Sequence, residues 1–217
     1  MKTINLGKNN TIFNHFISQI RDIRIQQDSM RFRRNIERIG EIFAYEISKK
    51  MDYSNHEVTT PLGISKENLF NDQPILATIL RAGLPLHQGL LNYFDSAESA
   101  FISAYRKSKK GGEFEIKIEY MSSPNINGRT LILCDPMIAS GSSMAMAMEA
   151  ILSKGKPKHI HVVGVIASSE GMQYLKENSP FRNWTLWIGA EDFELTSKSY
   201  IVPGLGDAGD LSFGVKE

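Results

Sequence analysis

The stretch Leu131-Ile132-Leu133-Cys134-Asp135-Pro136-Met137-Ile138-Ala139-Ser140-Gly141-Ser142-Ser143-Met144 reads as a buried strand, a sharp turn and the start of a helix. Four apolar residues run into one acid, Asp135, at the strand's carboxyl end. The small residues that follow leave the backbone N–H groups of the turn unshielded. Amides gathered on one point ahead of a helix make a cradle for an anion. An ordinary strand-to-helix turn, small for the sake of close packing, is the plainer reading of this stretch taken alone.

The cradle is not that of a nucleoside triphosphatase. The chain has no G-x-x-x-x-G-K-[ST], and no lysine stands where one would reach the outer phosphates. What remains is a carboxylate able to accept hydrogen bonds from vicinal hydroxyls, followed within a turn by amides and hydroxyls suited to a monophosphate. That combination describes a seat for ribose 5-phosphate.

Working outward, 217 residues with 41% hydrophobic and 23% charged content can bury one sizeable core. A single domain over 1–217 is expected, with a helical arm over 1–52 and a terminal segment over 190–217. The formal net charge of +1 gives no global field to recruit nucleic acid or membrane, so neither is expected as a partner. The lone Cys134 cannot form an intrachain disulfide, and its place at the end of an apolar run suggests a buried thiol in a reducing compartment, the cytoplasm. No run approaches the roughly 20 apolar residues that cross a bilayer, and residues 1–10 lack the apolar stretch of a signal peptide. The five histidines are scattered without metal-ligand spacing, so no protein-held metal is expected.

Apolar residues at three- and four-residue spacing predict helices over 12–27 and from Phe32 to Ile47, the second capped by Asp28 and Ser29. Two helices would then precede any strand and cover a core or a partner subunit. Arg21, Arg24, Arg31, Arg33, Arg34 and Arg38 lie on them among acids, which favours a solvated or subunit-facing surface over an RNA-binding one. Strand and helix signals then alternate: strands over 74–80, 99–105, 160–167 and 185–189, helices over 84–94, 144–152 and 172–176, and an edge strand or hairpin over 115–120. Repeated βα units imply an α/β fold with a mostly parallel sheet and helices on both faces. Ligands bind such sheets at the carboxyl ends of strands, where Arg81, Arg106 and Asp135 fall. Glu191 and Asp192 follow a strand and read as a solvated turn.

Read with its neighbours, the Asp135 loop resembles the 5-phosphoribosyl pyrophosphate (PRPP) motif of type I phosphoribosyltransferases, and its Asp-Pro-Met form looks like their uracil-specific branch. Ile79-Leu80-Arg81-Ala82-Gly83-Leu84 is similar to that family's pyrophosphate loop, and Tyr105-Arg106 to its second phosphate-contacting arginine. Tyr200-Ile201-Val202-Pro203-Gly204-Leu205-Gly206-Asp207-Ala208-Gly209-Asp210 is similar to its base-binding hood. The chain departs from the family at Ala139-Ser140-Gly141-Ser142, usually Ala-Thr-Gly-Gly, at Pro85 to Gln88, and in the Lys- and Gly-rich run after Arg106. Ser140 keeps the hydroxyl; Ser142 adds a Cβ where positive φ would then be restricted.

The resemblance implies a type I phosphoribosyltransferase-like sheet and a pyrimidine-salvage enzyme that turns uracil and PRPP into UMP and pyrophosphate. It implies PRPP binding by Arg81, Arg106, Asp135, Pro136, Met137, Ile138, Ala139, Ser140, Gly141, Ser142, Ser143 and Asp207, and uracil binding by Ile201, Gly206, Asp207 and Ala208. Arg106 and Asp207 are the implied catalytic residues, Mg²⁺ the cofactor carried by PRPP, and a homodimer or higher homo-oligomer the implied assembly. A PRPP-sensing RNA-binding regulator of pyrimidine genes on the same scaffold, or a transferase for another base, are the alternatives.

Overall fold

A computed structural model of the chain describes residues 2–108 and 114–216, with side chains for all of these except 105–108 and 114–117. Seven strands form the central sheet: β1 (Lys2–Asn5), β4 (Ile75–Leu80), β5 (Glu98–Ser108), β6 (Phe114–Ser122), β7 (Thr130–Ile138), β8 (His159–Ser168) and β9 (Trp184–Asp192), in the order β1-β9-β8-β7-β4-β5-β6. All pairings are parallel except β5 with β6, which form an antiparallel edge. Near-continuous apolar runs make the inner strands, because a parallel sheet covered on both faces buries successive side chains in both directions.

Alternation along those strands divides the core in two. Leu76, Ile132, Cys134, Val163 and Trp187 pack with α1 (Ile12–Arg21), α2 (Ser29–Ser48) and α3 (Leu84–Leu91). Ile75, Leu131, Leu133, Val162 and Leu186 pack with α4 (Ser142–Leu152) and α5 (Ser169–Asn178). The apolar stripes of α1 and α2, Phe13, Ile20, Phe32, Ile36, Ile39 and Phe43, are all buried in this core. Of the two destinations open to those stripes, the sheet takes them. Where α2 crosses α3 the backbones nearly touch: a Cβ on Gly89 would sit 2.0 Å from the Glu37 carbonyl oxygen.

Three sequence expectations are corrected, and one element appears where the sequence reading assigned none. A short strand, β1, precedes the helices and pairs with β9. The first helix stops at Arg21 rather than near residue 27, because the Asp22 carboxylate accepts from the Arg24 and Ile25 amides and turns the chain. The polar stretch after α2 is an antiparallel hairpin, β2 (Tyr53–Thr60) with β3 (Gly63–Phe70), exposed over nearly its whole length. β7 does not end at Asp135 but pairs with β8 as far as Ile138. Its pairing with β4 stops at Cys134, so Pro136 sits where that side asks for no N–H donor.

Beyond β9, two-residue strands β10 (Glu194–Leu195) and β11 (Ile201–Val202) pair antiparallel, and a short helix, α6 (Ala208–Phe213), closes the chain over the carboxyl ends of the sheet. Among the described residues no helix is long and apolar enough to cross a membrane.

Candidate active site

β7 delivers Asp135 to the carboxyl end of the sheet, half-buried, with Oδ1 accepting from the Met137 amide at 3.3 Å. Burial pushes its carboxyl up to about 7; the Met137 hydrogen bond opposes this, and the negative charge of Asp207 adds to it. The two carboxylates, 72 positions apart in sequence, are therefore close enough for the charge of Asp207 to act on Asp135. Cys134 beside them is fully buried, and burial pushes its thiol up to about 12, so it is an inert core group rather than a nucleophile.

Past Ile138, residues 139–141 make the turn and Gly141 takes φ +77°. A side chain there is excluded twice, by that angle and because its Cβ would lie 2.5 Å from the Gly171 carbonyl oxygen. In return a Cβ on Gly171 would lie 2.2 Å from the Ala139 oxygen, so α5 clamps the turn from behind. The buried Ser168 hydroxyl donates to Ala139 O and accepts from the Gly171 amide at 2.8 Å. Ser142 is the first residue of α4, and the non-glycine residue with positive φ among those described is Ser199, so the extra Cβ at 142 meets no backbone conflict. Gly141 caps α4 without any side-chain hydrogen bond, which leaves the first amides of the helix open to a ligand. The Ser140 and Ser142 hydroxyls, 2.7 Å apart, flank that opening.

Arg81 follows β4 directly, after a cis Leu80–Arg81 peptide. Its guanidinium donates to Asp210 Oδ1 at 3.3 Å and to the Gly214 carbonyl at 3.2 Å, tying the β4 loop to the terminal segment. Asp207 caps α6, with Oδ1 accepting from the Gly209 and Asp210 amides at 2.9 and 3.0 Å, while Oδ2 lies 3.8 Å from Lys216 Nζ. Ile201 and Ala208 are buried against the core, and Gly206, at φ +95°, has open space where a Cβ would point. The loop thus offers a flat ring a backbone edge with room beside it. Arg81, Asp135, the 136–143 segment, Asp207 and the hood all meet at one end of the sheet. Arg106 lies on β5 in register with Ile116, and its side chain lies outside the described residues, as does the run 109–113.

Two supports of the site escape local sequence reading. Asp192 is 5% exposed rather than a solvated turn: both of its oxygens accept from Arg21 at 2.8 Å, and Oδ2 accepts from the Gly204 amide at 2.9 Å. Arg21 also donates to Gly204 O at 2.9 Å, so the pair grips the hood loop by both backbone groups of one glycine. Arg33 donates to the Ser212 carbonyl at 2.6 Å and lies over the Phe213 ring, holding α6. Arg34 pairs with Glu37, and Arg38 lies over Phe16. Four of the arginines on the first two helices are thus engaged within the chain.

A family model described as uracil phosphoribosyltransferase matches residues 8–215. The chain belongs to the uracil phosphoribosyltransferase family. A uracil phosphoribosyltransferase of Porphyromonas gingivalis is 54% identical over 216 residues, covering 100% of both chains. One from Sulfolobus acidocaldarius is 36% identical, covering 92% of this chain and 94% of its own. Among solved structures, the AQ2163 protein of Aquifex aeolicus superposes with a TM-score of 0.86 at 29% identity, covering 98% of each chain. An adenine phosphoribosyl transferase of Trypanosoma brucei, at 12% identity and a TM-score of 0.57 over 94% of this chain and 88% of its own, shares the fold. Within the uracil phosphoribosyltransferase family, the departure at Ser142 is absorbed because the left-handed position belongs to Gly141.

Proposed function

We propose that this chain transfers the 5-phosphoribosyl group of PRPP to uracil, giving UMP and pyrophosphate, as befits its family. The observation that supports the reading is the uncapped amino end of α4, reached through the left-handed Gly141 just past Asp135, together with the charge of Asp207, from the glycine-bearing terminal loop, acting on Asp135. Breaking the anomeric C–O bond builds positive charge on the sugar and negative charge on the leaving pyrophosphate, by analogy with glycoside cleavage. Catalysis then rests on a held sugar and a neutralised leaving group rather than on a side-chain nucleophile.

In this reading the α4 amides with the Ser140, Ser142 and Ser143 hydroxyls take the 5-phosphate, and Asp135 accepts from the ribose hydroxyls. Arg81 and Arg106 hold the pyrophosphate. The Arg81 contacts to Asp210 and Gly214 are long enough to be exchanged for phosphate oxygens. In this reading Mg²⁺ enters on the pyrophosphate, whose hard oxygens suit it. Asp207 and Asp135, hard oxygen donors near enough for the charge of one to act on the other, fit such an ion, which supplies charge neutralisation when bound. Uracil lies against Ile201, Gly206 and Ala208, where backbone groups read its O4, N3–H and O2 edge. Cytosine reverses the first two, leaving buried groups unpaired, a mismatch worth about 10⁴-fold in discrimination.

Purified protein given labelled uracil, PRPP and Mg²⁺ should form UMP, with cytosine, hypoxanthine and orotate far poorer acceptors. A preference for any of those three would overturn the assignment. A homo-oligomer belongs to the same reading. The surface it would use is the hairpin β2–β3, whose Val58, Leu62, Ile64 and Leu69 stand exposed on a two-stranded unit that is marginal alone in water. Sedimentation velocity should find more than a monomer, and a monomer at working concentration would remove this part.

A further inference from the structure

The amino ends of the parallel strands carry a second polar cluster. Thr130 and His159 open β7 and β8 as register partners, and Lys2, Thr185 and His161 lie in one row across β1, β9 and β8. Side chains in register across parallel strands point to the same face, here the one that α2 covers. That row is level with Ile132 of β7, and six residues at roughly 3.3 Å each put it about 20 Å from Ile138 and the anion loop at the other end of the sheet. Lys50, Met51 and Asp52, just past α2, overhang it and line a half-open cavity of about 280 Å³.

Three properties of the lining go together. Lys158 is paired with Asp52, and Asp72 adds its field to that lysine, whereas Lys2 and Lys50 have no ion-pair or hydrogen-bond partner among the described residues. The carbonyls that end α2, which would otherwise repel an anion, are taken: Ile47 O by the Lys50 amide, Ser48 O by the Met51 amide and the Tyr53 hydroxyl. His161 is 4% exposed, and its Nδ1 accepts from Trp187 Nε1–H at 3.1 Å. An indole nitrogen only donates, so the neutral imidazole must carry its proton on Nε2. That N–H has no partner among the described residues, on a ring that lines the cavity. His161 cannot resolve this by becoming a cation, since burial and the adjoining His159 push its pKa down to about 3. His159 is settled separately, between Asn183 Oδ1 and Thr185 Oγ1 at 3.0 Å each.

We propose that this cavity binds a phosphoryl dianion, held by the His161 Nε2–H and the Lys2 and Lys50 ammonium groups. Two unmatched positive charges meet two negative ones, and the unpartnered His161 Nε2–H on the cavity wall supplies direction. The site lies at the opposite end of the sheet from the transferase pocket and stands independently of that reading. Free phosphate and the phosphate of a larger compound share this chemistry. The test uses protein with ¹⁵N-labelled histidine and long-range ¹H–¹⁵N spectra, titrated with inorganic phosphate, and separately with pyrophosphate, at ionic strength held constant with chloride. His161 should report the Nε2–H tautomer and shift saturably with one or both ions; which ion it is tells the two sources apart. In the Lys2→Ala/Lys50→Ala double variant the dissociation constant should weaken at least tenfold, while turnover of uracil and PRPP stays as in the parent. A His161 signal that moves with neither ion, that moves equally with chloride, or that keeps full affinity in the double variant overturns the proposal.

Discussion

Asp207 caps a helix and also sets a charge against Asp135, and one substitution separates the two roles. Asparagine caps as well as aspartate, so Asp207→Asn keeps α6 in place and removes only the charge. Turnover should fall by about 10²-fold with the melting temperature close to the parent's; full activity would take Asp207 out of the catalytic group. Asp135 makes a prediction about pH. Its folded pKa, about 7, lies above the usual 3.8, so folding favours the protonated form. The stability this contributes is complete below pH 4 and is lost as pH rises through 7, a loss on the order of 1–2 kcal/mol once partial exposure is allowed for. Denaturant titrations of the ligand-free chain across pH 4 to 8 should show that decline, and Asp135→Asn should flatten it. An unchanged slope in the variant would place the cause elsewhere. Both acids stood out in the sequence because each sits in a short motif. Asp192 did not, since its meaning comes from Arg21, 171 positions away.

Elements were legible where burial writes a pattern. The inner strands, α2 and α4 declared themselves through apolar runs or three- and four-residue spacing, and the Asp28 cap marked the start of α2. The hairpin β2–β3 escaped notice because nearly every residue of it is exposed, so no apolar face alternates with a polar one. β1, four residues with three of them polar or charged, is a strand only because β9 offers it an edge. The hood shows how an element acquires function from packing: its glycines permit the path, and the Arg21–Asp192 pair fixes it. Asp192→Asn leaves a mostly buried guanidinium without its bidentate partner and should cost about 3 kcal/mol of stability. The Michaelis constant for uracil should rise about tenfold while that for PRPP changes less, because the proposed reading puts Gly204 on the base side of the site. Equal effects on both substrates would deny the hood this separate role.

At the scale of the whole molecule, the parallel sheet sorts the chemistry by strand direction. Every strand that carries an implied PRPP residue runs the same way, so Arg81, Asp135 and the α4 amides reach one end together although they come from distant parts of the sequence. Chain order alone indicated that convergence, since βα repeats allow little else. The sequence left the N-terminal helices to cover either a core or a partner subunit, and gave no sign that they would supply the struts of the hood. The account stands or falls on where a nucleotide lies. Crystals grown with UMP should show its phosphate on the amides of residues 139–143, its ribose hydroxyls on Asp135 and its base against Ile201 and Ala208. UMP bound elsewhere, or a hood filled by the chain's own side chains with the nucleotide excluded, would contradict it.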